Sequence, residues 1–153
     1  MPDQPDKRDF GELYREHALW ASRLAFLLTG DPSLAEDLVQ DAFLGLYRHA
    51  NRVDNPRAYL RVTLTNLASR RRRRDRRRTA AHAITATRET ISESANELFD
   101  VIGKLPVKQR AVIVLRYYEG LSEVEIAQAL RCAPGTVKSL ASRAIDRLRK
   151  EVL

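Results

Sequence analysis

The chain has one cysteine, Cys132, so no internal disulfide can staple it. No apolar run approaches the roughly 18 residues that a membrane span requires. The opening MPDQPDKRDF is polar and acidic, unlike a signal peptide. These absences point to a cytoplasmic protein, with Cys132 as a small core residue in a turn. Period-two alternation is missing throughout, which excludes a sheet and leaves an all-α class. No His, Cys and carboxylate cluster has metal-ligand spacing. His17 sits at the edge of an apolar stripe as a packing residue, and His82 has no partner that the sequence identifies. Ser22, Ser33 and Ser69 lie in helical or capping contexts without a base beside them, which argues against a nucleophilic enzyme. The expectation is a protein with no cofactor and no chemistry of its own.

What is present is charge, unevenly placed. The 153 residues carry a formal net charge of +7, and residues 70–78 alone hold eight arginines and one aspartate. So dense a basic run fits a polyanion, nucleic acid above all. A solvated helix end favoured by the C-terminal dipole is the plainer alternative, but the density exceeds what that needs.

The most organised stretch is Gly120 to Val152. Ser122 and Glu125 have the spacing of a capping box, and Ile126, Ala127 and Leu130 then repeat at helical intervals. Arg131 to Ala133 interrupt, and Pro134 suits the first turn of a new helix. That helix runs toward the chain end with Val137, Ala141, Ala144, Ile145 and Leu148 on one face and Lys138, Ser139, Ser142, Arg143, Arg147 and Lys150 on the other. Two helices, a tight turn and a basic second helix make a helix-turn-helix, whose second helix can enter a major groove. The turn wants a left-handed residue, and Arg131 occupies that position at a cost of about 1 kcal/mol.

The front half reads as helices over Asp9 to Thr29, Leu34 to Arg48, and from Pro56 into the arginines. Gly30 caps the first helix, and Ser33 with Glu36 offers a capping box for the second. On the second helix Glu36, Asp37, Gln40, Asp41, Leu44 and Arg48 share the face opposite the apolar stripe. Such a face is either a docking surface for a basic partner or an ordinary solvated face, and periodicity alone favours the latter. Asn55-Pro56 opens the third helix, Asn as N-cap and Pro at its first position. Leu60, Thr63, Leu64 and Leu67 face inward. Arg57, Arg61, Thr65 and Arg72 form one outer strip, and Tyr59, Asn66, Arg70 and Arg73 another. Arginines beside an aromatic and an amide suit a single-stranded or distorted nucleic acid. Thr79 to Asn96, rich in Ala, Thr and Ser, reads as a flexible linker. Beyond it, Leu98, Val101, Ile102 and Leu105 begin a second small unit, followed by a helix over Val107 to Glu119. In that helix Ala111, Val112, Leu115 and Tyr118 are core candidates, and Gly120 is the C-cap.

Taken in order, LLTGDPSLAEDLVQDAF, NPRAYLRVTLTNLA, LPVKQRAVIVLRYYEGLSEVEIAQAL and GTVKSLASRAIDRLR resemble an RNA polymerase sigma factor of the two-domain extracytoplasmic-function type. The resemblance spans Phe10 to Leu148. It implies three parts: a region-2 domain over 9–78, a linker over 79–96 and a region-4 helix-turn-helix domain over 97–153. It also turns the acidic face into a docking site for a coiled coil on the polymerase clamp, with Asp37, Gln40, Asp41 and Leu44 as core-binding residues. Asn55, Arg57, Tyr59, Arg61, Asn66, Arg70, Arg72 and Arg73 fall where the family opens and reads the −10 element, and the loop Asn51 to Asn55 falls near a flipped-out −10 base. Thr136, Lys138, Ser139, Ser142, Arg143 and Arg147 fall where it recognises the −35 element. The partners implied are core RNA polymerase, promoter DNA and an anti-sigma factor, with no membrane insertion. Several positions depart from the family pattern: Tyr59 stands where tryptophan is common, Ser69 and the arginine run replace a more usual mix, Leu140 replaces a frequent arginine, and Arg131 replaces the turn glycine. The rival readings are a polymerase-independent repressor or activator, which leaves the acidic helix and arginine run unexplained, and a recombinase, which needs a catalytic domain.

Overall fold

The computed structural model describes residues 7–75 and 93–152. Among these residues every regular element is helical. The first unit comprises α1 (Lys7–Thr29), α2 (Pro32–His49), a single 3-10 turn (Ala50–Arg52) and α3 (Pro56–Asp75). Each helix presents one apolar stripe to the other two. Leu24 and Leu28, Leu38 and Phe43, and Leu60 and Leu64 meet in one buried core, which is how a narrow hydrophobic stripe is removed from water.

Local chemistry fixes the joints. α1 stops at Gly30, whose φ of 70° is open to glycine and costly for other residues. Asp31 then caps α2, its carboxylate accepting from the N–H groups of Ser33 and Leu34 at 3.0 and 3.2 Å. The capping residue is therefore Asp31, with Pro32 in the first turn, and not Ser33 as the S-x-x-E spacing suggests. Two helix starts compete there, and proline at the first helical position decides between them. At α3 the expected cap holds: Asn55 Oδ1 accepts from Ala58 N–H at 3.1 Å.

The second unit comprises α4 (Glu93–Gly103), α5 (Val107–Ile113), a π-helical segment (Val114–Tyr118), α6 (Glu123–Leu130) and α7 (Pro134–Val152). α4 starts at Glu93, inside the stretch the composition assigns to a linker, and residues 79–92 of that stretch, with His82, lie outside the described residues. Wider π winding carries Tyr118 off the core face, so this expected core residue is 46% exposed. The capping box is present: Glu125 N–H donates to Ser122 Oγ at 3.2 Å and Ser122 N–H to Glu125 Oε1 at 3.3 Å. The turn residue Arg131 has φ 54° and ψ 48°, the left-handed conformation the spacing requires. Ile126, Ala127, Val137 and Ala141 close the elbow around Val112 and Leu115.

The two units pack on each other, α3 lying against α5 and α6 and α1 against α5 and the π segment. Val62 of α3 joins the helix-turn-helix core, and the rings of Phe26 and Phe99 stack with centroids 5.1 Å apart. Thr65, assigned to the outer strip by periodicity, is instead 1% exposed, its hydroxyl donating to the Arg61 carbonyl at 2.8 Å. The second unit covers α3 on that side, which no repeat within α3 can report.

Candidate nucleic-acid interface

α7 carries the basic face of the helix-turn-helix. Val137, Ala141 and Ala144 are buried, which turns Thr136, Lys138, Ser139, Ser142, Arg143 and Arg147 outward, all six exposed. Lys138 is exposed and lies 3.9 Å from the half-exposed Glu123, a long pair that a phosphate can displace at little cost. Hydroxyls and cations at these spacings suit base edges and phosphates along a duplex groove. Leu140 is half-buried and packs against the elbow, which accounts for an apolar residue on this helix.

On α3 the eight expected residues divide. Asn55 caps the helix and is exposed. The Arg57 guanidinium sits over the Trp20 ring, 4.3 Å from its centroid. Tyr59 is half-buried against the first core, with its hydroxyl where a Cβ on Gly45 would come to 2.7 Å. Mid-helix Gly45 is thus explained by the ring that leans on it. Arg61 donates its Nε–H to Glu119 at 3.0 Å, and Glu119 also accepts the indole N–H of Trp20. Asn66 and Arg70 line a cleft of about 210 Å³ together with Thr136 and Leu140 of α7. Arg72 and Arg73 continue α3, which extends to Asp75; residues 76–78 of the arginine run lie outside the described residues.

α2 presents the acidic face. Asp37 and Gln40 are exposed and Leu44 is 53% exposed. Asp41 is ion-paired with Arg71 across to α3, a half-exposed pair of small energetic weight. Gln40 and Leu44 border an apolar groove of about 500 Å³ whose other walls are Phe10, Tyr14, Phe43 and Tyr47. Tyr14 and Tyr47 are 45% and 40% exposed, so the groove is an open aromatic surface rather than core.

The Sigma-70 region 2 family model matches residues 13–78 and the Sigma-70 region 4 model matches residues 95–148. The ECF RNA polymerase sigma factor SigL of Mycobacterium tuberculosis (strain H37Rv) is 33% identical over 150 residues, covering 90% of this chain and 85% of SigL. The RNA polymerase sigma-E factor of Streptomyces coelicolor is 34% identical over 153 residues, covering 95% and 86%. This chain belongs to the extracytoplasmic-function sigma factors of RNA polymerase.

Two proteins of known structure share the fold of this one. The sigma factor RpoE of Bartonella quintana, solved with the anti-sigma factor NepR, superposes with a TM-score of 0.78 at 26% identity over 95% of this chain and 97% of that one. CnrH, solved with the cytosolic domain of CnrY, gives 0.67 at 25% identity over 96% and 89%. The protein is an alternative sigma factor: it binds core RNA polymerase and directs transcription from the promoters it recognises. No helix of the described residues is long and apolar enough to cross a membrane.

Reading the sigma factor from its sequence misses the residues between the units. Glu119 reads as the unremarkable residue before a C-cap glycine, yet its side chain is 2% exposed and held by two donors from the first unit. Arg110, which the sequence does not single out, is 1% exposed and donates its Nε–H to the Leu27 carbonyl at 2.6 Å. A signal for Arg110 does exist: α1 has no basic residue in its last turn, so its C-terminal dipole lacks a local counter-charge.

Proposed function

We propose a division of labour within this sigma factor. Asp37, Gln40, Asp41 and Leu44 dock on core polymerase. Asn55, Arg57, Tyr59, Arg61, Asn66, Arg70, Arg72 and Arg73 hold and read the −10 element, and Thr136, Lys138, Ser139, Ser142, Arg143 and Arg147 recognise the −35 duplex. Residues 9–78 and 97–153 act as the two working domains, joined through 79–96. The observation that carries this reading is the outward presentation of all six α7 residues on a helix-turn-helix, in a chain that separately displays an acidic, leucine-centred face on α2. Two weak DNA sites on one chain raise each other's effective concentration. The protein acts in the cytoplasm, catalyses no reaction itself and is held in check by an anti-sigma factor. This last assignment draws on the two structural neighbours, each solved with such a partner or with a cytosolic domain bound.

The test is run-off transcription with purified core polymerase on a promoter library. The wild-type chain gives specific initiation. The variant carrying Asp37→Ala, Gln40→Ala and Leu44→Ala stays folded, each exposed side chain changing stability by no more than about 0.5 kcal/mol, and loses initiation by at least tenfold. Unchanged initiation by that variant removes α2 from the docking site. Tight duplex binding by the free protein with no initiation from any template favours a polymerase-independent regulator.

A further inference from the structure

The cleft between α3 and α7 is basic and small. Arg70 of α3 and Lys108 of α5 line it from separate units, and Asn66, Ser69 and Thr136 add an amide and two hydroxyls. Leu130 and Leu140 supply apolar wall, and none of the lining residues is acidic. Among the described residues neither Arg70 nor Lys108 has an ion-pair partner, whereas the neighbouring Arg71 is paired with Asp41. Like charges gathered at one wall repel until a counter-ion joins them. The volume of about 210 Å³ equals about seven waters at roughly 30 Å³ each. Sites for whole cofactors or drug-sized ligands span roughly 300–1,000 Å³. The cleft therefore suits a small anion and excludes a nucleotide or a peptide.

We infer that this cleft is a binding site for free inorganic phosphate, held between Arg70 and Lys108. The charges balance, a dianion against two cations. The Arg70 guanidinium offers a fork of N–H groups that matches two phosphate oxygens, and Lys108 adds a point charge on a mobile stem. The Asn66 amide and the two hydroxyls serve the remaining oxygens, more donors than a carboxylate can use. The same hydroxyls and the Asn66 carbonyl also accept. That suits hydrogen phosphate, whose P–OH donates one bond, over sulfate, which has no proton to donate. Thr136 lies in the first turn of the 19-residue α7, whose dipole adds positive potential at this wall. Lys108 belongs to neither set of DNA-contacting residues, so promoter binding leaves its place in the cleft unexplained. Phosphate held there takes Asn66, Arg70 and Thr136, which the sigma-factor reading gives to DNA. Occupancy and promoter binding are therefore antagonistic, and this consequence alone rests on that reading.

Binding is measured on the full-length protein without DNA or polymerase, so its failure and the failure of the sigma-factor reading are separate results. Calorimetric titration with inorganic phosphate, at slightly alkaline pH and constant ionic strength, should show one saturable site. Its dissociation constant should be on the order of 0.1–1 mM. About 10 mM phosphate should raise the thermal midpoint by a few degrees, and sulfate at the same ionic strength by clearly less. Lys108 is exposed. Lys108→Ala, and Lys108→Met, which keeps most of the stem, should leave the phosphate-free midpoint unchanged and weaken phosphate binding roughly tenfold. With a short mixed-sequence single-stranded DNA, phosphate should weaken binding more than sulfate does, and Lys108→Met should abolish that excess. The variant's own DNA affinity should stay within about twofold of wild type. No saturable phosphate binding, an equal response to sulfate, or full binding by both variants overturns the site. Loss of the phosphate response together with roughly tenfold weaker DNA binding makes the cleft a seat for the DNA backbone and overturns the assignment to free phosphate. Phosphate binding that leaves DNA affinity where sulfate leaves it overturns the antagonism.

Discussion

Arg131 shows how a single residue can break a local rule and still leave its turn intact. Its φ of 54° is the conformation L-residues avoid, at roughly 1–2 kcal/mol, and it is the sole non-glycine with positive φ among the described residues. The conformation is enforced from both sides. Arg131 N–H donates to the Gln128 carbonyl at 3.3 Å and Cys132 N–H to the Ala127 carbonyl at 3.0 Å, which ends α6 while the elbow core holds both helices. Replacing an exposed arginine by glycine removes the strain and forfeits no buried surface. Arg131→Gly should therefore stabilise the protein by about 0.5–1 kcal/mol, the gain being limited by the greater freedom of glycine in the unfolded chain. Thermal denaturation would show this as a midpoint a few degrees higher. An unchanged or lower midpoint means that the left-handed turn carries no strain.

At the scale of the helix, what the sequence reveals depends on whether the cause is local. The ends of α3 and α6 were legible because their caps, Asn55-Pro56 and Ser122 with Glu125, are read within four residues. The positive φ at Arg131 was legible for the same reason. The start of α2 was not, because Asp31 and Ser33 are both competent caps and only the position of Pro32 separates them. The difference is testable. Asp31→Ala removes an oxygen that serves two N–H groups and should cost about 1 kcal/mol. Ser33→Ala touches an exposed side chain and should stay within about 0.5 kcal/mol. Urea unfolding of the two variants side by side decides the matter, and the reverse ranking restores Ser33 as the cap. Tyr118 and Thr65 fail for other reasons. A π segment changes the angular step that periodicity takes as fixed, and a covering helix from another unit buries a side chain that its own helix presents outward.

The whole molecule adds what no stretch of sequence contains, namely which unit satisfies which. α1 ends without a basic residue, and the cation beside its carboxyl end comes from α5, more than eighty positions away. Gly30 makes room for it: a Cβ there would lie 3.0 Å from both terminal nitrogens of Arg110. The same glycine thus serves the left-handed cap and the approach of the guanidinium. This arrangement couples the units, because Arg110 belongs to the second and its acceptor to the first. Arg110→Ala removes a charged hydrogen bond, a dipole contact and buried packing together, and should cost about 2–4 kcal/mol. Lys108→Ala, exposed on the same helix, should cost less than about 0.5 kcal/mol. The sharper readout is where the loss is felt. Hydrogen exchange in Arg110→Ala should quicken at the last turn of α1, Leu27 to Gly30, although the substitution lies in the other unit. Slow exchange there despite a lowered global midpoint would mean that Arg110 stabilises only its own unit and that the bond to Leu27 joins the two without coupling them.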